Sequence, residues 1–215
     1  MKKLLYISAN TKPEEKSVSK TVARMLVNRM MEKSKDMALE ELDLYQAHIP
    51  QLKHAYLAGR SALVNDEAKK RLSPEEQSEI DRINALCDQF CAADVYVLAA
   101  PMWSLSYPPP VKEYLDCVIQ AGKSIAFESS KPRGLLGDKP RSFVYVQSSG
   151  AHIPWLLRPA LNKGLNYVHD IVRFLGIRVF EELLADGTGV TEAERQTAMR
   201  RAADKIDGVL GSILL

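Results

Sequence analysis

Three short segments carry residue types that could hold a phosphorylated aromatic ligand. The first, Ser8-Ala9-Asn10-Thr11-Lys12-Pro13-Glu14-Glu15-Lys16-Ser17-Val18-Ser19, is dense in hydroxyls and opens a helix. A helix N-terminus offers unpaired N–H groups and the positive end of a dipole, which suits a phosphate; Ser17 and Ser19 can add hydroxyl donors. Plain capping and turn formation would use the same serines without any ligand. The second segment, Pro101-Met102-Trp103-Ser104-Leu105-Ser106-Tyr107-Pro108-Pro109-Pro110, sets a methionine and a large aromatic at the end of an apolar run. A rigid turn between prolines supplies a flat apolar wall and backbone donors, which a redox-active ring requires because reduction gathers electron density on its polar edge. The competing reading is that Trp103 is a core or interface aromatic and the prolines only turn the chain. In the third, Ser148-Ser149-Gly150-Ala151-His152, small residues would let the backbone approach a ring edge closely.

The elements that must position these segments follow from hydrophobic periodicity. Leu4–Ile7 is a short apolar run, Ala38–Leu44 alternates, Asp94–Ala100 is nearly continuous, Arg141–Gln147 and Ile177–Leu184 complete the strands. Between them the pattern is helical from Ser17, from Ser73-Pro74-Glu75-Glu76 (cap, proline at the first position, capping box) to about Ala92, from Pro109-Pro110, from about Arg158 to Leu175, and from Thr191 to about Leu214. Residues 45–72 read as an insertion with some helix and 122–140 as loop-rich. Alternation of this kind predicts a single α/β domain over 1–215, a five-stranded parallel sheet with helices on both faces. The flavodoxin-like order 2-1-3-4-5 fits five strands best, and ligands in such sheets bind beyond the carboxyl ends of the strands, where the three segments fall.

Composition narrows the function classes. The chain has 215 residues, 46% hydrophobic and 26% charged, with a net charge of +2. That balance suits a globular protein and argues against nucleic-acid binding, since Lys69-Lys70-Arg71 and Arg200-Arg201 are short and sit in mixed-charge helical stretches. Neither G-x-G-x-x-G nor G-x-x-x-x-G-K-[ST] occurs, so the dinucleotide and P-loop fingerprints are missing. Cys87, Cys91 and Cys117 form neither a disulfide framework nor a zinc set; they read as buried structural thiols, and no metal is expected. The opening Met1–Ile7 is too short for a signal peptide or a membrane span, so the expected setting is cytoplasmic.

With these residues in view, the chain resembles the FMN-dependent NADH-azoreductase family, related to NAD(P)H quinone reductases, over roughly residues 3–210. Ala100-Pro101-Met102-Trp103-Ser104-Leu105-Ser106 is close to the family's A-P-M-[YW]-N-F. Pro110–Asp116, Ala121-Gly122-Lys123, Ser17-Val18-Ser19 and Phe174–Ile177 match as well. The resemblance implies that Asn10, Ser17, Val18 and Ser19 hold the phosphate and ribityl end of FMN. It implies that Pro101, Met102, Trp103, Ser104 and Leu105 line the isoalloxazine, and that Ser148, Ser149, Gly150 and Ala151 close over its pyrimidine edge. It further implies a homodimer with flavin at the interface and Phe127 lining the substrate pocket. Two positions depart from the family: Ser104 stands for Asn, and Ser149-Gly150-Ala151 for R-G-G, which removes a cation and one glycine.

The expected chemistry is a ping-pong transfer of hydride from NADH or NADPH, through flavin N5, to an azo compound or quinone, with no side-chain nucleophile. Quinone reduction with azo reduction as a side activity is one alternative. A flavodoxin-like electron carrier is another, although such carriers are typically acidic and shorter. A hydrolase acting on a phosphopantetheine ester lacks a visible nucleophile–base pair.

Overall fold

A computed structural model describes residues 1–213, the side chain of Trp155 excepted. Five parallel strands form the central sheet: β1 (Lys2–Ser8), β2 (Met37–Asp43), β3 (Val95–Pro101), β4 (Ser142–Ser149) and β5 (Val179–Asp186). Their spatial order is β2-β1-β3-β4-β5, the expected flavodoxin-like arrangement. Every residue of β3 and β4 is buried, because both faces of the sheet are covered.

Strand residues alternate between two apolar layers. Leu4, Tyr6, Val95, Val97, Val144, Val146 and Leu183 pack on one face, against α1 (Val18–Lys33), α5 (Glu192–Ala203) and α6 (Ile206–Ser212). Leu5, Ile7, Tyr96, Leu98, Phe143 and Tyr145 pack on the other, against α2 (Pro74–Ala92), α3 (Pro109–Val118) and α4 (Lys163–Leu175). The helix starts are local in origin. Ser73 and Glu76 form the capping box of α2 with a proline in its first turn, and Thr191 and Glu194 form that of α5.

The structure adds detail to the sequence reading in four segments. The 45–72 insertion holds a 3-10 turn (His54–Tyr56), a two-stranded hairpin (Leu57–Gly59 with Ala62–Leu63) and one short helix (Asp66–Lys69). Within the loop-rich 122–140 segment, Ile125–Glu128 pairs antiparallel with Lys131–Gly134. The helix expected from Arg158 to Leu175 breaks at Asn162 (ψ 60°), which leaves a short Arg158–Leu161 turn before α4. The terminal helix breaks between Ala203 and Ile206, and its expected end at Leu214 lies outside the described residues. Cys87 and Cys117 are buried thiols that donate to the carbonyls of Val118 and Pro50; Cys91 is only partly buried.

Candidate functional site

The carboxyl ends of β1, β3, β4 and β5 open into a cleft of about 380 Å³. That size is within the range of small-molecule sites. Residues from all three predicted segments line it: Asn10, Ser17 and Val18; Pro101, Met102 and Trp103; Ser148, Ser149 and Gly150.

At one end sits the start of α1. Ser17 is its N-cap, and its Oγ accepts from Lys20 N at 3.4 Å and from Asn10 Nδ2 at 2.8 Å. Asn10 Oδ1 in turn accepts from Lys12 N at 3.0 Å, so one buried amide ties the loop to the cap. Ser19 is fully buried and is not among the residues that line the cleft, its hydroxyl 3.3 Å from that of Ser17. Ser19 therefore supports the cap, and its side chain does not line the opening. Among the described residues the N–H groups of Val18 and Ser19 have no acceptor. The first turn of α1 is a positive dipole end with Lys12 and Lys16 on the cleft rim, an arrangement that suits an anion.

At the other end the chain leaves β3 and reverses. Trp103 and Ser106 exchange two backbone hydrogen bonds of 2.8 Å across Ser104 and Leu105, whose φ values are +50° and +64°. Two consecutive left-handed residues in a two-residue loop form a primed turn, a conformation that favours Asn or Gly. Asn, the residue the resembled family has at 104, suits this backbone, whereas Ser104 holds it under strain. The central N–H groups of Ser104 and Leu105 have no acceptor among the described residues and stay available. Trp103 is 39% exposed, with the Tyr45 ring tilted beside it at 6.2 Å. Ser104 and Leu105 lie at the rim rather than among the lining residues. Gly164 locks the turn from behind. Its N–H donates to Leu105 O, and a Cβ there would stand 2.8 Å from the backbone of Ser106 and Tyr107. Beside the turn, burial pushes the Tyr107 hydroxyl up to about 12, helped by Tyr167.

The third segment belongs partly to the sheet. Ser148 pairs with Pro101 and Ser149 with Asp186, so β4 runs two residues beyond the expected strand end. Ser149 Oγ lies 2.8 Å from Asp186 Oδ1 and from Ala151 O, which fixes the bend into exposed Gly150 and Ala151. Phe127 does not line this cleft. It is half-buried on the Ile125–Gly134 hairpin with the Arg60 guanidinium 5.7 Å over its ring.

Sequence reasoning missed a fourth wall. Thr188 to Glu192 and Arg195, from the loop after β5 and the start of α5, also line the cleft. That loop docks on the third segment through Gly187 N to Ala151 O (3.2 Å), Thr188 N to Ser149 O (3.0 Å) and Gly189 N to Gly150 O (3.0 Å). The signal available in sequence was Gly187-Thr188-Gly189, whose two glycines take φ of +73° and +53°.

A family model described as a flavodoxin-like fold matches residues 2–210. The chain belongs to this family. Flavodoxin-like relatives of nearly the same length include the "FMN-dependent NADH:quinone oxidoreductase" of Ruminiclostridium cellulolyticum, 65% identical over 99% of this chain and 100% of that one. A protein of the same name from Clostridium botulinum (strain Eklund 17B / Type B) is 53% identical over 99% of this chain and 100% of its own. Among solved structures, an FMN-dependent NADH-azoreductase from Bacillus anthracis in complex with FMN superposes with a TM-score of 0.80. It covers 97% of this chain and 99% of that one at 24% identity, a likeness of fold. No helix among the described residues is long and apolar enough to cross a membrane.

Proposed function

We propose that this protein is an FMN-dependent oxidoreductase that takes hydride from NADH and reduces quinones and azo compounds. The observation that carries the reading is one cleft at the carboxyl edge joining free α1 N–H donors to the Met102–Trp103 wall. The names of the 65% and 53% identical relatives support it.

The residues fit FMN in kind. Asn10, Ser17, Val18 and Ser19 would serve its phosphate end, with Ser19 contributing its backbone N–H. Met102 and Trp103 would carry the ring, and the N–H groups of Ser104, Leu105 and Gly150 would face its polar edge. When bound, FMN supplies a hydride acceptor and donor within one ring system. The chain does the rest. Tyr45 and Trp103 keep the mouth apolar and flat, so an aromatic donor or acceptor can stack there. The same exposed mouth serves NADH and acceptor in turn, a ping-pong order that predicts parallel lines in initial-rate plots. Protons come from water or from groups polarised by the backbone.

The active unit is a homodimer. Leu105, Leu156, Leu157 and Tyr167 are exposed apolar side chains, a pattern that favours burial against a second copy. Phe127 would line the substrate space only if that second copy carries it there; sedimentation of the holoprotein tests the dimer.

The deciding experiment is an anaerobic absorption spectrum of the purified protein. Flavin absorption that bleaches with NADH and returns with a quinone or azo dye supports the reading, and relative rates rank the two acceptors. A colourless protein that takes up no FMN ends it, and bleaching only through a partner reductase makes the protein a carrier.

A further inference from the structure

We infer that a second cleft, beside the first and beyond the carboxyl ends of β1 and β2, holds the adenosine ribose of the NADH donor. The inference rests on the oxidoreductase reading above and assigns a place to the half of the donor that does not react.

This second cleft has a volume of about 660 Å³, within the range of small-molecule sites. Ser8 at the end of β1, Asp43 at the end of β2, and Lys20 and Arg24 of α1 line it. Two observations join it to the mouth where a nicotinamide would stack. Lys12 lines both clefts. Tyr45 stands between them: its N–H donates to Asp43 Oδ1 at 2.9 Å, and its ring lies 6.2 Å from that of Trp103. Tyr45 thus links the apolar stacking wall to a carboxylate at the edge of the sheet.

The open groups of this cleft suit a vicinal diol. Lys20 is 6% exposed, and its ammonium donates to Asp43 Oδ2 at 2.7 Å. Among the described residues that ammonium has no other acceptor, and the hydroxyl of Ser8, a residue also 6% exposed, has no partner. Polar groups this deeply placed are ordinarily hydrogen-bonded. Arg24 differs, because Glu14 and Glu41 engage its Nε, Nη1 and Nη2. Those bonds serve the fold by tying α1 to β2 and to the 14–16 turn, whereas Ser8, Lys20 and Asp43 keep capacity for a ligand. A sugar hydroxyl is both donor and acceptor, so a ribose diol can donate to Asp43 and accept from Lys20. Charge points the same way. Lys12, Lys20 and Arg24 balance Glu14, Glu41 and Asp43, so the cleft offers an anion no net attraction. A neutral ribose fits, and a 2′-phosphate would meet the Asp43 carboxylate. In open α/β sheets that bind dinucleotides, an acidic side chain likewise takes the ribose 2′-hydroxyl.

The test compares NADH with reduced nicotinamide mononucleotide, which lacks the adenylate half, as donors to the FMN-loaded protein. In the natural protein kcat/KM for NADH should exceed that for the mononucleotide by about tenfold or more, and NADPH should fall below NADH. In Ser8→Ala and in Asp43→Asn the preference for NADH over the mononucleotide should shrink about fivefold. ADP-ribose, titrated by calorimetry into the same loaded protein, should compete with NADH and bind about five- to tenfold more weakly to either variant. Flavin absorbance per chain reports that the variants are folded, and Ser8→Ala removes a hydroxyl without stranding the Lys20 charge. Equal efficiency of NADH and the mononucleotide would overturn the inference. So would variants that slow both donors alike, or ADP-ribose that binds without competing with NADH. A natural protein that takes up no FMN fails at the earlier step and ends the oxidoreductase reading itself.

Discussion

At the amino edge of the sheet the polar groups are paired; at the carboxyl edge several stand open. Asp94, at the start of β3, accepts from Lys3 N at 2.8 Å and from Lys139 Nζ at 2.6 Å. Arg141, buried beside it, donates to the carbonyls of Cys91, Ala93 and Leu136, and Lys139 also reaches Ala92 O. These cations close the C-terminal end of α2, where carbonyls lack helical partners. At the opposite edge the N–H groups of Val18, Ser19, Ser104 and Leu105 lack acceptors among the described residues, and two residues sit at positive φ. The amino edge thus uses its polar groups to hold the fold together, while the carboxyl edge keeps donors that a polar ligand could use.

Substitutions at the two edges should therefore separate stability from binding. The largest effect is expected for Arg141→Ala, which strands three buried carbonyls and should cost about 3–5 kcal/mol in urea unfolding. The FMN Kd of the folded protein should barely move; a Kd that rises in step with the stability loss would erase the contrast. Ser17→Ala should cost about 1 kcal/mol as a lost cap, yet weaken FMN binding about tenfold because Asn10 Nδ2 loses its acceptor and the loop its tie. An unchanged Kd there would show that the α1 start does not hold the ligand.

Asp94→Asn should cost about 1 kcal/mol at neutral pH and carry a pH signature. Burial opposes its charge, but the Lys139 ammonium and the Lys3 N–H outweigh burial and hold the carboxyl below its usual range. A depressed folded pKa contributes stability above the unfolded value, about pH 4, and loses it as pH falls through the folded value. Acid unfolding curves should therefore be steeper in the natural protein than in Asp94→Asn, and parallel curves would refute the pairing. The smallest effect is a gain. Ser104→Asn should raise stability by up to about 1 kcal/mol, since Asn tolerates the left-handed backbone better than Ser. A loss of stability would mean that the turn is not strained.

Much of this is legible in the sequence. The apolar run from Asp94 to Ala100 and the Ser73 cap follow from local residue types, as does a serine cap for α1, left open between Ser17 and Ser19; together they place the 8–19 loop and the Trp103 turn at the carboxyl edge. Less legible was the extent of β4. Ser148 and Ser149 read as a turn because serine favours turns, but pairing with Pro101 and Asp186 keeps both in the sheet.

The sequence by itself determined the alternation of strands and helices, the strand order that five such units favour, and the residue types of the three segments at the carboxyl edge. Those depend on periodicity and capping, which act over a few residues. Only the tertiary structure decided that Ser19 faces inward, that Ser104 and Leu105 are left-handed, and that Phe127 lies off the cleft. It alone brought Arg195 beside Glu15. Contacts across 180 residues leave no periodic trace in the chain, because they are chosen by how α5 packs on the sheet and not by its neighbours in sequence.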